Sequence, residues 1–415
     1  MDHERLLRVL IAHNFYRQPG GEDQVFDAEC ELLKSRGHTV REYVMHNDDL
    51  HRLWPAGMAG ATLWNHRVYR QLGRIVREEA IEVAHFHNTF PLMSLSACLA
   101  ASANGAAVVL TLHNYRLICP AATLFRDGKL CEKCVGRAPW PSVVHGCYRR
   151  SRPTTAVVAA MLMAHRVAGT YVQGVDRFIA LTEFSRVKFV AGGLPADHIA
   201  IKPNFVPNDP KPGTGTGGYV IYVGRLAMEK GIETMLQAWR RLGGRIGLKI
   251  IGDGPMRQMV QQASRSIPGV QWLGRLPMDQ VMYHMGEASM LVFPSIWYEG
   301  QPRVMIESFA TGTPIVASKL GSMIEMVDDG RTGRLFSPGD PVALARTIEQ
   351  LWQRPEQLAA MRKQSRQEYE NRWSADKNHQ MLMGIYADAL RCRRERIHRA
   401  PATTPATFSQ DCQGT

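Results

Sequence analysis

Two basic residues, Arg225 and Lys230, stand where a diphosphate could be bound. Arg225 follows Gly224 at the end of the apolar run YVIYV, and Lys230 comes five residues later, directly before a helix-length amphipathic segment. Backbone N–H groups in the first turn of a helix attract anions, and two neighbouring cations would strengthen that attraction. Together they could stabilise the charge that grows on a nucleoside diphosphate as it leaves a sugar. The alternative is a surface turn that happens to carry two basic side chains.

Two carboxylates, Glu299 and Glu307, could hold the sugars of such a molecule. Glu299 follows the apolar run ASMLVFPS in a predicted loop, and Glu307 comes eight residues later, about two turns into a predicted helix. Carboxylates accept hydrogen bonds from vicinal hydroxyls, so one could bind the ribose and the other the transferred hexose. The alternative is a pair of solvated acids. We favour binding, because the apolar neighbours of Glu307 do not put it plainly on a polar helix face.

Four histidines fall at or just past the ends of predicted strands in the first half of the chain: His13, His85, His87 and His113. Ligands of open α/β sheets bind at this edge, so the four could form a metal site. Their separations follow the spacing of strands rather than any ligand motif, and a histidine is more often a hydrogen-bonding core residue. We expect one or two of them to contact substrate instead.

Four of the eight cysteines lie in a long segment, 113–150, that has little regular pattern. They are Cys119, Cys131, Cys134 and Cys147, and the middle two form a Cys-x2-Cys pair. A loop this long needs something to order it, and four cysteines are the ligand number of a structural zinc ion or an iron–sulfur cluster. The outer spacings match no standard zinc finger. Reduced cysteines that merely pack in a loop are therefore the alternative.

Short β-branched runs alternate with helix-length segments in both halves of the chain, which predicts two α/β units with mainly parallel sheets. A stretch rich in proline and glycine separates them, and two helical segments, 341–354 and 355 to about 397, follow the second unit. We predict an N-terminal domain (1–206), a linker (207–218), a C-terminal domain (219–371), a last helix (372–399) and a disordered tail (400–415).

The composition is that of a folded protein with a basic surface. The 415 residues suffice for two domains, and the formal net charge of +12 favours anionic partners. The basic segments 149–152 and 391–399 could contact anionic lipid or simply be solvated. No basic motif interleaved with aromatic residues indicates nucleic-acid binding. The first apolar run is too short for a signal peptide and none approaches the roughly 20 residues of a bilayer span, so we expect a cytoplasmic protein.

The motifs VGRLAMEKG, IGDGP and EGQPRVMIE, in this order, resemble the donor-binding lobe of retaining glycosyltransferases of family 4, and PGGED is similar to the glycine loop of the first lobe in that family. The resemblance covers the chain except for its tail. It implies the GT-B fold, an α/β architecture of two Rossmann-like domains that face each other across a cleft, with C-terminal helices packing back toward the N-terminal domain.

The resemblance also implies roles for individual residues. Arg225 and Lys230 would contact the donor diphosphate, Glu307 the ribose and Glu299 the donor sugar. His113, in LTLHNY, would hydrogen-bond the transferred sugar and is, with Glu299, our candidate for the catalytic site. Further donor-binding residues would be Gly20, Gly21, Gly224, Gly252, Gly254, Gln301 and Pro302. The family is generally independent of metal ions, so no cofactor is expected for catalysis, and retention is expected through a front-face displacement assisted by the leaving phosphate.

These motifs favour an enzyme that moves a hexosyl unit from a nucleoside diphosphate sugar to a glycan or lipid-linked glycan acceptor, as in bacterial surface-polysaccharide assembly. Two alternatives keep the GT-B fold. One is a nucleotide-sugar epimerase or a phosphorylase, against which the paired Arg-x4-Lys and Glu-x7-Glu spacings argue. The other is a catalytically silent binding protein, which intact donor residues make less favourable.

Overall fold

The computed structural model describes residues 5–17, 20–48 and 55–399, and fourteen strands lie within them. In chain order the strands are β1 (Arg8–Phe15), β2 (Thr39–His46), β3 (Val83–Asn88), β4 (Ala107–Leu112), β5 (Phe125–Arg126), β6 (Lys129–Leu130), β7 (Arg177–Ala180), β8 (Ile199–Ile201), β9 (Tyr219–Val223), β10 (Gly247–Ile251), β11 (Val270–Gly274), β12 (Met290–Phe293), β13 (Ile315–Ser318) and β14 (Gly333–Phe336).

Twelve of these strands form two parallel six-stranded sheets. Their orders are β2-β1-β3-β4-β7-β8 and β11-β10-β9-β12-β13-β14, while β5 and β6 form a separate antiparallel hairpin. In each sheet the strand order reverses beside the first strand, which is where ligands of doubly wound folds bind. The short β8 was absent from the sequence-based strands, because three residues carry too little pattern.

Sixteen α-helices connect and cover the sheets in the described part of the chain. They are α1 (Gly21–Ser35), α2 (Pro55–Leu63), α3 (His66–Glu78), α4 (Ser96–Ala103), α5 (Trp140–His145), α6 (Arg152–Val167), α7 (Thr170–Gly174), α8 (Glu183–Ala191), α9 (Ile232–Leu242), α10 (Arg257–Ser266), α11 (Met278–Glu287), α12 (Arg303–Ala310), α13 (Ser322–Met326), α14 (Pro341–Trp352), α15 (Pro355–Arg372) and α16 (Ala375–Arg399).

Apolar side chains cover both faces of each sheet, as expected of parallel strands buried between helices. All six residues of β4 are buried. Along β9 the side chains alternate: Val220 and Tyr222 belong to one hydrophobic cluster, and Tyr219 and Ile221 belong to the cluster on the other face. The runs AVVLTL and YVIYV therefore form buried strands, as predicted, and each strand lies near the centre of its own sheet.

The segment 207–218 lies between the two sheets and contains no helix or strand. It is not a free connection, because the N–H groups of Gly213, Gly215 and Gly217 donate to carbonyls of the second lobe. A Cβ on Gly213 would stand 2.2 Å from the backbone of Gly286, so only glycine fits this close approach. Any pivot between the lobes must therefore precede these contacts. The tail, 400–415, lies outside the described residues.

The last helical segment, 355 to about 397, is two helices, and they part close to residue 372, where the predicted division begins the last helix. They break at residues 373 and 374, where Trp373 is buried and stacks on Phe309 of the second lobe with ring centroids 5.0 Å apart. The following helix, α16, packs back on the first sheet. Leu382 and Tyr386 are buried in its cluster, and the Tyr386 hydroxyl lies 2.9 Å from Nδ1 of His85. The expected return of the C-terminal helices to the N-terminal domain is confirmed.

Replacing Leu382 by alanine is expected to lower the free energy of unfolding by about 2–5 kcal/mol, because the side chain is fully buried in the contact between α16 and the first sheet. Urea denaturation of the purified variant measures the loss. Met381, the preceding residue, is 37% exposed and provides the matched control. Equal stability of Leu382→Ala and Met381→Ala would contradict the described docking of α16.

Candidate active site

The loop after β9 leads into α9 through two glycines and Lys230. Gly231 adopts a left-handed conformation (φ 70°) as the N-cap of α9, and a Cβ there would stand 1.9 Å from the carbonyl oxygen of Pro294. Only glycine allows this approach. The Ile296 N–H donates to the Glu229 carbonyl oxygen at 2.9 Å. The first turn of α9 is thereby fixed against the loop that follows β12.

Lys230 and Glu299 form an ion pair across these two loops. The Lys230 Nζ lies 2.8 and 3.0 Å from the two carboxylate oxygens of Glu299, and the side chains are 18% and 7% exposed. The Ser295 hydroxyl donates to the same carboxylate at 2.7 Å. Two groups that the sequence assigned to different parts of a donor molecule thus lie in direct contact. An arriving anion could take the place of the carboxylate beside Lys230.

Arg225 stands apart from this pair. Its guanidinium bonds Glu229, one turn further along the chain, and its side chain is half exposed. Two fixed cations were expected to flank the start of α9. Lys230 stands there, whereas Arg225 is turned toward Glu229. An exposed guanidinium can change rotamer, so the role of Arg225 at a diphosphate stays a prediction.

Three glycines allow the loops after β9 and β10 to approach each other closely. A Cβ on Gly252 would stand 1.9 Å from the carbonyl oxygen of Gly224, and one on Gly254 would stand 2.5 Å from that of Leu226. Gly252 also has a φ of 139°, which L side chains rarely adopt. The two loops at the ends of β9 and β10 therefore lie backbone to backbone. Whether they line a nucleotide stays a prediction.

The loop that carries Glu299 also meets the first lobe. A Cβ on Gly300 would stand 3.0 Å from the carbonyl oxygen of His113, at the end of β4. Gln301 and Asn204 share two hydrogen bonds, with the Asn204 N–H donating to the Gln301 side chain at 2.5 Å and the Asn204 amide donating to the Gln301 carbonyl at 3.2 Å. The predicted catalytic residues His113 and Glu299 thus lie on two facing loops.

Glu307 lies on α12, which begins at Arg303 after Pro302 as its N-cap. The carboxylate is therefore just over one turn into the helix, not two, because the EGQP stretch belongs to the preceding loop. Its side chain is 8% exposed and lies 3.4 Å from Arg303. Burial raises the pKa of Glu307, and Arg303 opposes that rise. Arg303 also donates to Gln24 of the first lobe at 3.0 Å.

His113 is neutral in its surroundings. Its Nε2 lies 3.0 Å from Nδ1 of His87, and the two rings stack with centroids 5.1 Å apart. Burial and then the nearby His13 lower the pKa of His113 to about 3, because a second positive charge is unfavourable there. A neutral imidazole can donate or accept one hydrogen bond to a sugar hydroxyl without introducing charge.

The other strand-end histidines join a buried polar network. Among the described residues, Glu29, His85 and His87 form the one group whose candidate metal-ligand atoms all lie within 4.8 Å of one another. Both ring nitrogens of His85 are already hydrogen-bonded, to Tyr386 and Thr111. Both nitrogens of His85 are thus used within the core, which favours the hydrogen-bonded alternative, and that these histidines bind no metal stays a prediction.

A buried ion pair balances the charge of this network. Lys202 lies 3.0 Å from Glu29, and both side chains are almost fully buried. Burial pushes the pKa of Glu29 up, but Lys202 and His85 outweigh it and hold the pKa well below its ordinary value. Glu29 is therefore an anion held by fixed partners, which leaves it little freedom to take part in chemistry.

The glycine loop of the first lobe begins α1. The Gly20 N–H donates to Asp23 at 2.7 Å, and the same carboxylate lies 2.7 Å from Nε2 of His13. A Cβ on Gly20 or Gly21 would meet nothing, so the protein itself leaves open space there. Beside this space, Asn114 donates to Glu22 at 3.3 Å, and burial, followed by the Asp23 charge, raises the pKa of Glu22 to about 8.

Several neighbours of the site have no sequence signal of their own. Ser322 donates to the Glu299 carbonyl at 3.0 Å, and the Tyr115 hydroxyl contacts the same oxygen at 3.5 Å. Arg303 and Glu22 could have been found, because both lie inside the motifs EGQPR and PGGED. Asn204, in contrast, follows the three-residue strand β8, which the pattern did not reveal.

A separate pocket of about 500 Å³ lies on the second lobe, around Lys319, Glu325 and Arg372, and contains no predicted site residue.

Two family models together match residues 19–368. The model of Glycosyltransferase Family 4 matches residues 19–209, and the model of Glycosyl transferases group 1 matches residues 208–368. Among solved structures, the chain is similar to HepE of Anabaena in complex with UDP and glucose, with a TM-score of 0.63, 16% identity, and coverage of 92% of this chain and 99% of that one. Sucrose-phosphate synthase from Thermosynechococcus elongatus gives a TM-score of 0.66, 15% identity, and coverage of 94% and 100%.

Curated relatives match over shorter stretches. A glycosyltransferase of Methanocaldococcus jannaschii is 29% identical over 139 residues, 33% of this chain and 39% of that protein. Glycogen synthase of Mycobacterium tuberculosis is 32% identical over 151 residues, 35% of this chain and 36% of that protein. The matches span from 20% to 39% of the length of the first three relatives.

Fold and site together define a GT-B protein, with two Rossmann-like lobes whose strand ends carry the polar residues. Within that class the chain belongs to the glycosyltransferases of family 4, and its second lobe is of the group 1 type.

Proposed function

We propose that the chain transfers a hexosyl unit, with retention of anomeric configuration, from a nucleoside diphosphate sugar to a glycan or lipid-linked glycan acceptor in bacterial surface-polysaccharide assembly. One observation carries the proposal. The Lys230–Glu299 pair lies at the start of α9, and Gly300, next to Glu299, lies against His113 of the opposite lobe. A cation and a carboxylate of the second lobe thereby lie beside the end of β4, where His113 follows the strand.

Donor binding is an exchange of partners in this proposal. The diphosphate enters beside the first turn of α9 and replaces Glu299 as the partner of Lys230, while exposed Arg225 leaves Glu229 to reach the other phosphate. The Glu299 carboxylate then accepts hydrogen bonds from hydroxyls of the transferred sugar. The ion pair gives each charge a partner, so neither Lys230 nor Glu299 is buried with an uncompensated charge until the donor replaces that partner.

Catalysis needs no cofactor in this proposal. Lys230, Arg225 and the N-terminus of α9 neutralise the departing diphosphate in place of a divalent ion. The leaving phosphate accepts the acceptor's proton as the new bond forms on the same face of the sugar, which retains the anomeric configuration. Neutral His113 orients the sugar by a hydrogen bond, and the open space at Gly20 and Gly21 admits the phosphate side of the donor.

The proposal for the acceptor rests on the exposed basic residues that could bring the protein to a lipid surface. No helix in residues 5–17, 20–48 and 55–399 is long and apolar enough to cross a membrane. We propose a cytoplasmic protein whose exposed Arg149, Arg150 and Arg152 draw it to anionic lipid, where a lipid-linked acceptor would reside. The basic C-terminal helix is less suited to that contact. Arg396 pairs with Asp176 at 2.7 Å, and Arg393 donates to Ser102, so both hold α16 on the first lobe.

Replacing Glu307 by glutamine is expected to weaken binding of the nucleoside diphosphate about tenfold, because the ribose hydroxyls lose a charged acceptor. The raised pKa of Glu307 adds a pH signature. As the pH falls, the wild-type carboxylate is lost at a higher pH than an ordinary glutamate, so affinity declines on the acid side, whereas the variant lacks that component of the decline. Calorimetric titration at several pH values measures both.

The control for this substitution is Glu356→Gln on the exposed start of α15, which should bind as the wild type does. An unchanged affinity and an unchanged pH dependence in Glu307→Gln would remove Glu307 from the donor site.

The function is tested with a panel of uridine, guanosine and adenosine diphosphate sugars. We expect one donor to raise the melting temperature of the wild-type protein, and that donor to be consumed with transfer to an oligosaccharide or lipid-linked acceptor. Proton NMR of the product reports its anomeric configuration. Inversion would contradict retention, and the absence of any stabilising nucleoside diphosphate sugar would overturn the proposal.

A further inference from the structure

The segment between β4 and α6 carries four cysteines on very little regular structure. Within it, only a short turn, the two-residue strands β5 and β6, and the six-residue helix α5 are regular. Three of the cysteines are nevertheless fixed at or beside one of these elements. The N–H groups of Cys119, Cys131 and Cys147 donate to the carbonyls of Tyr115, Leu124 and Ser142, at 2.8, 2.8 and 3.0 Å.

The four thiols are free, and hydrogen bonds draw their positions in the chain together. The Ala122 N–H donates to the Cys119 carbonyl, and the Cys131 N–H donates to the carbonyl of Leu124, two residues beyond Ala122, both at 2.8 Å. Ser142 links the other two cysteines, because its carbonyl accepts from the Cys147 N–H and its own N–H bonds the Cys134 thiol. Residues 28 positions apart in the chain are thus gathered in one loop.

Two groups beside these cysteines offer hydrogen-bond donors to negative sulfur. One is the Ser142 N–H, which bonds the Cys134 thiol. The other is the Arg126 guanidinium, whose charge acts on Cys147 and whose Nε and Nη1 are buried without a hydrogen-bond partner. Buried donors without a partner are costly unless an anion lies nearby. The visible counterion of this guanidinium, Asp127, is 3.5 Å away on an 85% exposed side chain.

We propose that Cys119, Cys131, Cys134 and Cys147 bind one structural zinc ion in a tetrahedral site. Binding replaces the four thiol protons with one Zn²⁺ and leaves a site of net charge −2, which Arg126 and the Ser142 N–H would stabilise. No three of these four described sulfurs lie within 4.8 Å of one another. Zinc with bonds of about 2.3 Å holds sulfurs about 3.8 Å apart, so side-chain rotation must close the set.

The proposed site would support the wall of the active site, which goes beyond the transfer reaction itself. Glu132 lies between the two cysteines of the Cys-x2-Cys pair, bonds the Lys188 ammonium at 2.7 Å and hydrogen-bonds Tyr298. Tyr298 is the residue before Glu299, and its ring packs on Phe184 with centroids 4.8 Å apart. A zinc ion that fixes Cys131 and Cys134 therefore fixes a contact with the loop that carries Glu299.

The experiment is metal analysis of the untagged full-length chain, purified without chelators or metal-affinity resin. We expect about one zinc per chain in the wild type, and less than about a tenth of that in Cys131→Ser and Cys134→Ser. Cys392→Ser, on the remote helix α16, is the matched control and should keep its zinc. Replacement of zinc by cobalt should give the visible absorption of a tetrahedral thiolate complex, a readout independent of transferase activity.

If the serine variants fail to fold, the proposal can still be tested on the wild-type protein alone. A strong chelator should release zinc from the wild type and lower its melting temperature, and added zinc should restore both. A wild type without stoichiometric metal, whose thiols react freely with a disulfide reagent, would overturn the proposal. So would iron with acid-labile sulfide, or a disulfide between any two of the four cysteines.

Discussion

Lys230→Ala is expected to lower the rate of sugar transfer by about 100- to 1,000-fold while leaving the fold intact. The ammonium group stands at the start of α9 and, in the proposed function, stabilises the charge that grows on the departing diphosphate. Circular dichroism should be unchanged, because the side chain borders the cleft rather than a hydrophobic cluster. Transfer is measured with labelled donor under saturating acceptor.

The substitution leaves the Glu299 carboxylate with Ser295 as its remaining side-chain partner, so a modest drop in melting temperature is expected as well. Lys363→Ala, on the exposed face of α15, is the matched control and should transfer as the wild type does. Wild-type turnover in Lys230→Ala would show that the diphosphate lies elsewhere.

His113→Ala is expected to lower kcat roughly 100-fold with a smaller change in KM for the donor. The backbone carbonyl of His113 lies against Gly300, next to Glu299, and in the proposed function the His113 imidazole orients the transferred sugar. Misplacement of a reacting group by about 1 Å costs a factor of this size. Because the pKa of His113 is lowered to about 3, the ring is neutral throughout an ordinary assay range. The acid limb of the pH profile should therefore be the same in the variant and the wild type.

The control for this prediction is His66→Ala, at the exposed first turn of α3, which should leave kcat unchanged. If His113→Ala retained full kcat, the histidine would be a structural member of the polar network with His87. If the variant instead lost an acid limb present in the wild type, the imidazole would titrate during turnover and the neutral state would be wrong.

The two sheets could be predicted from the sequence because buried parallel strands leave a dense β-branched signal. AVVLTL and YVIYV lie at the centre of the first and second sheets, with residues buried on both faces. Three-residue β8 carries no such signal. The start of α12 was misplaced for a related reason, since contacts of the EGQP stretch with Asn204 and the first lobe keep it out of the helix, and local propensity does not show such contacts.

The residue types of the site could be predicted, but their pairing could not. Spacing along the chain put Arg225 with Lys230 and Glu299 with Glu307, because local sequence shows which residues share a loop or a helix. The ion pairs instead join Lys230 to Glu299, 69 positions apart, and Arg225 to Glu229. Pairing across loops depends on how the close-packed backbones after β9, β10 and β12 approach each other, which only the folded chain determines.

The most direct test of the account is a crystal structure of the protein with a nucleoside diphosphate bound. We expect the diphosphate within about 3 Å of the Lys230 Nζ and the first turn of α9, the ribose hydroxyls on the Glu307 carboxylate, and Glu299 released from Lys230. A nucleotide in the pocket around Lys319, Glu325 and Arg372, with the Lys230–Glu299 pair intact, would contradict it.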